Sequence, residues 1–226
     1  MLAATGWRLE ALDLGYNRGL GAAGAAALAA APTLAIRRLK VEHCSLGAAA
    51  LVSLATTPWP LEELNLSGND LSAAAAAPAL AALSRHRRLR KLNVNYCCLR
   101  AAGFKALVEA AWPALTTFKA IQATAAFDGP HALGAAAFAG FPALEELDLS
   151  DVKLGAAGAV VLASRRWPRL RELTLICAQL SPAGAAALAH GEWPALEGLS
   201  LGGNDLDAPL TLEAARRWAP ALRQLF

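Results

Sequence analysis

Apolar residues recur along this chain in two alternating rhythms. Residues 59–71, Trp-Pro-Leu-Glu-Glu-Leu-Asn-Leu-Ser-Gly-Asn-Asp-Leu, show the first, with apolar positions at Leu61, Leu64, Leu66 and Leu71. Around Leu64 and Leu66 the period is two, which predicts a short strand with those leucines on one face and Glu63, Asn65 and Ser67 on the other. The second rhythm has period four: Leu20, Gly24, Leu28; Leu99, Gly103, Leu107; Leu154, Gly158, Leu162; Leu180, Gly184, Leu188. It predicts a helix after the strand. Glycine inside a helix costs about 1 kcal/mol relative to alanine, so its recurrence predicts that the helix backbone passes close to its own strand.

The first apolar position of the strand unit recurs at Leu9, Ile36, Leu61, Leu89, Leu115, Leu144, Leu170, Leu196 and Leu222, at intervals of 27, 25, 28, 26, 29, 26, 26 and 26 residues. One such strand cannot bury its leucines alone, but stacked copies can. The chain therefore reads as a single domain over residues 1–226, about eight full repeats and a partial ninth. Every tryptophan (Trp7, Trp59, Trp112, Trp167, Trp193, Trp218) precedes a repeat by a few residues, and Phe141 fills the same slot. Proline follows at Pro60, Pro113, Pro142, Pro168 and Pro194, where it stops the helix and turns the chain. An aromatic locked to the repeat predicts a seal between helix ends rather than a stacking platform for bases.

The spacing Leu-x-x-Leu-x-Leu-x-x-Asn-x-Leu of residues 61–71 resembles the leucine-rich repeat family, in particular the intracellular, helix-bearing arrays of the ribonuclease-inhibitor type, over residues 7–226. The resemblance implies an α/β horseshoe, a solenoid with a parallel concave sheet and convex helices. It also implies that Asn17, Cys44, Asn69, Cys97 and Asn204 bond the backbone of the turn after each strand. Ala123, Val152 and Ala178 depart from that pattern, so at Val152 and Ala178 water or neighbouring side chains are expected to satisfy the turn. Repeat five is irregular: it holds Asp128-Gly129-Pro130-His131 in the longest interval, which fits a binding loop or simple decay of one repeat.

Composition and charge narrow the function. No run approaches the roughly 18 uncharged apolar residues a membrane span needs without Gly, Pro or charge interrupting it as a turn, so no membrane contact is expected. The amino end shows no signal peptide. Cys44, Cys97, Cys98 and Cys177 lie inside repeats and not in terminal disulfide caps, which favours a reducing, cytoplasmic location. A formal charge of +3 makes nucleic acid an unlikely partner. The basic clusters Arg85 to Lys91, Arg165 to Arg171 and Arg216-Arg217 read as solvated helix ends complementing the dipole.

Catalytic patterns are not found in the sequence. His43, His86, His131 and His190 occupy different repeats and phases, with no recurring nucleophile beside them. The pairs His43-Cys44 and Cys97-Cys98 match no metal-ligand spacing. No phosphate-cradling loop occurs, and Glu62-Glu63 and Glu145-Glu146 point to opposite strand faces. The expectation is a protein with no catalytic activity, cofactor or metal.

The resemblance implies a protein–protein interaction scaffold that holds its partner on the concave face. Its alternatives are an enzyme regulator (GTPase activator, nuclease inhibitor or ubiquitin-ligase substrate receptor) and a structural subunit of a large assembly. The outward strand positions, read as columns, give the candidate partner-binding residues Tyr16, Arg38, Lys40, His43, Lys91, Tyr96, Lys119, Asp148 and Asp151. Tyrosines with basic neighbours in the first five repeats suggest a partner acidic at that contact, oriented by the acidic repeats beyond. Repeat nine reads without a helix, which leaves Leu225 and Phe226 on an open strand and predicts missing flanking sequence or end-to-end association.

Overall fold

The computed structural model describes residues 9–31, 34–123, 133–206 and 215–226. Its strands are β1 (Ala11–Asp13), β2 (Arg38–Lys40), β3 (Glu63–Asn65), β4 (Lys91–Asn93), β5 (Thr117–Lys119), β6 (Glu146–Asp148), β7 (Glu172–Thr174), β8 (Gly198–Ser200) and β9 (Gln224–Leu225). They form one parallel sheet in chain order. Each central residue faces the core and lies beside its equivalent: Leu12, Leu39, Leu64, Leu92, Phe118, Leu147, Leu173 and Leu199 make one continuous row. The flanking residues point outward, as the period of two requires.

The other layer holds α1 (Gly21–Ala29), α2 (Ala48–Ala55), α3 (Ala76–Ala82), α4 (Ala101–Glu109), α5 (Gly155–Ala163) and α6 (Pro182–Leu188). α1 packs on α2, α2 on α3, α3 on α4, and α5 on α6. Packed helices stand about 8–10 Å apart whereas paired strands stand about 4.8 Å apart, so the stack bends with its sheet on the inside.

The recurrent glycines serve a different contact from the one the periodicity predicts. A Cβ on Gly24 would come within 2.5 Å of Leu20, and one on Gly158 within 2.8 Å of Leu154, the leucine that opens each helix. On Gly103 and Gly184 it would approach Leu80 of α3 and Ala156 of α5 to 3.3 Å. The close approaches are thus to the helix's own opening leucine and to the neighbouring helix, not to the strand.

The basic clusters are also placed differently. None of the six helices has a basic residue in its last turn. Arg85 ends a separate 3-10 turn, Leu83–Arg85, and Arg165 and Arg166 lie beyond the end of α5. They lie at the ends of α3 and α5, as the sequence predicts, but just past the last α-helical turn rather than within it.

The aromatic slot is a seal. Trp59, Trp112, Phe141, Trp167 and Trp193 are buried. The indole N–H of Trp112, Trp167 and Trp193 donates to the carbonyl five residues back, Leu107, Leu162 and Leu188, at 2.8–2.9 Å. These bonds satisfy carbonyls that a helix end leaves open. Trp167 and Trp193 stack at 6.4 Å, and Phe138 lies 5.9 Å from Trp167. Trp7 lies outside the described residues.

The turn ladder is present. Asn69 Nδ2 donates to the Val41 and Leu66 carbonyls, while its Oδ1 accepts from the amides of Cys44 and Leu46. Asn204 repeats the arrangement with Leu175, Leu201 and Leu180. The Cys44 and Cys97 thiols donate to the Leu14 and Leu66 carbonyls at 2.9 and 3.2 Å. At Val152 and Ala178 backbone groups serve: the Val152 amide donates to Leu149, and those of Leu154 and Gly155 to Ala178.

Candidate partner-binding face

The strand register aligns the outward residues into two columns. One runs Ala11, Arg38, Glu63, Lys91, Thr117, Glu146, Glu172, Gly198; the other runs Asp13, Lys40, Asn65, Asn93, Lys119, Asp148, Thr174, Ser200. Across β1 to β5 they bound a groove of about 440 Å³. Leu12, Leu39, Leu64 and Leu92 lie along it, and Arg38, Lys40, Lys91 and Lys119 all line it.

The lysines do not present free charge. Lys40 Nζ lies 3.5 Å from Asp13 Oδ2, Lys91 Nζ 3.1 Å from Glu63 Oε1, and Lys119 Nζ 2.5 Å from Glu146 Oε1. Exposed pairs of this kind contribute about 0–1 kcal/mol, so their main effect is to fix a pattern of alternating sign along the groove. Among the described residues Arg38 has no ion-pair partner, and the positive surplus of the groove centres on it.

The second column also shapes the turns. Asp13, Asn65, Asn93 and Asp148 each accept from the amide two residues on, at 2.9–3.0 Å. Such bonds hold the chain as it leaves the strand. The Gly15 amide bond, helped by Lys40, keeps the Asp13 carboxyl below its ordinary range. Asp148 also accepts from the Ser150 hydroxyl at 2.7 Å, so its carboxylate is committed to the turn as well as to the surface.

Tyr16, His43, Tyr96 and Asp151 sit beyond the strands, on the rim. Their φ angles are 63, 51, 56 and 57°, and Gln122, Cys177, Gly68 and Gly203 share the same left-handed position in the other repeats. Tyr16 and His43 stack at 4.9 Å and 21°, and the imidazole covers Gly68, where a Cβ would come within 2.2 Å of Cε1. Tyr16 is 75% exposed and Tyr96 49%. Tyr96 and Asp151 line a second hollow of about 620 Å³ with Gln122, Cys177, Cys98, Lys153 and Gln179. Thus the nine predicted residues fall into a groove set (Arg38, Lys40, Lys91, Lys119, with Asp148 beside it in β6) and a rim set. Cys98, Lys153 and Gln179 were not among the predicted residues. The signal for their hollow is the polar residues standing where Gly68 and Gly203 stand in other repeats.

Reactive chemistry is sparse on this face. Burial pushes the Cys97 thiol up to about 12 and raises that of Cys44, so both stay protonated at neutral pH. Burial, then the charges of Glu197 and Glu146, raise the carboxyl of Glu172. Among the described residues no three His, Cys, Asp or Glu side chains converge as metal ligands, and no helix is long and apolar enough to cross a membrane. The loop Asp128-Gly129-Pro130-His131 lies outside the described residues.

Two segments of the chain, residues 9–29 and 60–77, match the family profile described as Leucine Rich repeat. Among solved structures, 42 chains are similar. One belongs to the crystal structure of the Rad7 and Elc1 complex in yeast; it is 16% identical, over 96% of this chain and 75% of that one, with a TM-score of 0.45. No curated protein matches the sequence.

Proposed function

We propose, for a chain that belongs to the leucine-rich repeat family, that it is a non-catalytic scaffold which binds a protein partner on its concave face. The observation that carries this reading is the groove along β1 to β5, with charges of alternating sign along it and exposed tyrosines beyond the ends of its strands. A rigid parallel sheet presents many contacts in fixed register, and complementary charges set orientation and encounter rate. Tyr16 and Tyr96 supply large apolar area with a polar tip, the composition of residues that dominate interfaces. Arg38, which has no ion-pair partner among the described residues, favours a partner surface that is acidic there, and the paired Lys91 and Lys119 add to the sign pattern that orients it.

A photo-crosslinking residue placed at Asn65, in the groove, and at Val52, exposed on α2, tests the reading. The expected result is a discrete protein adduct from Asn65 and none from Val52. For the adduct identified, Tyr96→Gly and Lys119→Glu should each weaken binding by about tenfold or more, within the range of interface anchors. Tyr96→Gly is chosen because its φ of 56° suits glycine, so lost binding is not lost folding. Adducts from Val52 alone, or unchanged affinity in both variants, would overturn the assignment of the concave face.

A further inference from the structure

Helices return to the sheet along the edge opposite the tyrosine rim. There the segments leading into β3 and β4 enclose a hollow of about 320 Å³, lined by Thr57, Trp59, Arg85, His86, Arg87 and Arg88 among others. Among the described residues no carboxylate lines it. The three arginines are exposed, and among the described residues none makes an ion pair. The comparable run before β7 behaves differently: Arg166 pairs with Glu192, Arg171 with Glu197, and Arg165 donates to the Ala135 carbonyl.

The wall of this hollow departs from the rest of the array. Elsewhere the slot tryptophan caps the carbonyl five residues back. Here that carbonyl, Leu54, accepts instead from Thr57 Oγ1 at 2.9 Å and His86 Nε2 at 3.0 Å. Among the described residues the buried Trp59 indole N–H has no partner. Thr57 and His86 are themselves buried, so two polar side chains have been fixed behind the arginines at the expense of a bond made at three other junctions.

We propose that this hollow binds a phosphate group presented by a phosphoserine or phosphothreonine of a protein partner. Arginine's planar fork matches phosphate oxygens in pairs, and three guanidinium groups without carboxylates supply an uncompensated positive field. The space accommodates one phosphorylated side chain. The chain's net charge is only +3, and the slot tryptophans Trp59, Trp112, Trp167 and Trp193 are buried where base stacking would need them exposed. Those facts favour a phosphopeptide over nucleic acid. The hollow is separate from the concave groove, so either assignment can fail without the other.

The test uses the full chain with two probes. Inorganic phosphate is titrated while the indole N–H resonances are followed by NMR, with Trp59→Phe assigning one of them. A fluorescent pool of phosphoserine and phosphothreonine peptides is compared with its dephosphorylated counterpart by anisotropy. Phosphate should shift the Trp59 resonance, and the phosphorylated pool should bind selectively. The combined Arg85→Gln, Arg87→Gln, Arg88→Gln variant should weaken that binding by about tenfold or more, as loss of charge-assisted hydrogen bonds requires. Arg217→Gln should leave it unchanged, and Arg87→Glu alone should reproduce the loss if the combined variant melts early. Equal binding of both pools, an unmoved Trp59 resonance at saturating phosphate, the same loss with Arg217→Gln, or tighter binding of a single-stranded oligonucleotide would overturn the proposal.

Discussion

Asn69 shows how much one side chain carries in this array. Its amide serves five backbone groups, and three of them, the Cys44 and Leu46 amides and the Val41 carbonyl, belong to the preceding repeat. Alanine there would leave buried donors and acceptors unpaired, each costing about 1–3 kcal/mol. We expect Asn69→Ala to destabilise by about 3 kcal/mol or more in urea unfolding, and Asn17→Ala, an exposed equivalent with two shorter-range bonds, to cost far less. Similar losses in the two variants would show that the ladder is not what holds the turns. The role of Asn69 was readable because Asn and Cys alternate at one fixed offset from the strand. The left-handed positions at Tyr16, His43 and Tyr96 were not: φ leaves no mark on the sequence except the glycines that share the slot, Gly68 and Gly203.

At the level of elements, leucine spacing fixed the parity of every strand, and parity placed Arg38, Lys40, Lys91 and Lys119 on one face. Lys40 with Asp13 and Lys91 with Glu63 are direct neighbours in the register, whereas the pair of Lys119 with Glu146 runs diagonally between strands and depends on side-chain conformation, which spacing does not reveal. Nor did it separate the arginines from the helices. The four-residue rhythm fades gradually, whereas α3 stops at Ala82 and a 3-10 turn follows.

Adjacent strands also set a pH dependence. Glu172 on β7 lies beside Glu146 on β6, with Glu197 close by, and its carboxyl is raised by burial and by both charges. The folded chain therefore holds this proton more tightly than the unfolded chain does. The stability it contributes is complete below the unfolded value, about 4.3, and is lost as pH rises through the folded one. Glu172→Gln should stabilise the fold at pH 7, by under about 1 kcal/mol for a largely exposed group and read as a small rise in melting temperature, and the gain should vanish near pH 4. A gain that persists at low pH would mean that shape, not charge, is responsible.

Among the described elements, the main contacts of each repeat are with its neighbours, so stability is a sum of local terms joined at interfaces. Those interfaces have a direction. The turn amides of Leu14 and Tyr16 donate to carbonyls of repeat two, those of Val41 and His43 to repeat three, and the same offset recurs down the chain. Asn69 likewise reaches back to finish the turn of repeat two. A chain emerging from the ribosome exposes its repeats in order, yet none can close its turn until the next has appeared. Folding during synthesis should therefore trail elongation by one full repeat, advancing in steps of about 26 residues and not continuously. Tension on a nascent chain, read with a translation-arrest reporter at successive lengths, should rise in that staircase. The Asn69→Ala chain should miss the step that closes repeat two while keeping those of later repeats, so the array would be laid down like coursed masonry, each layer bonded by the one above.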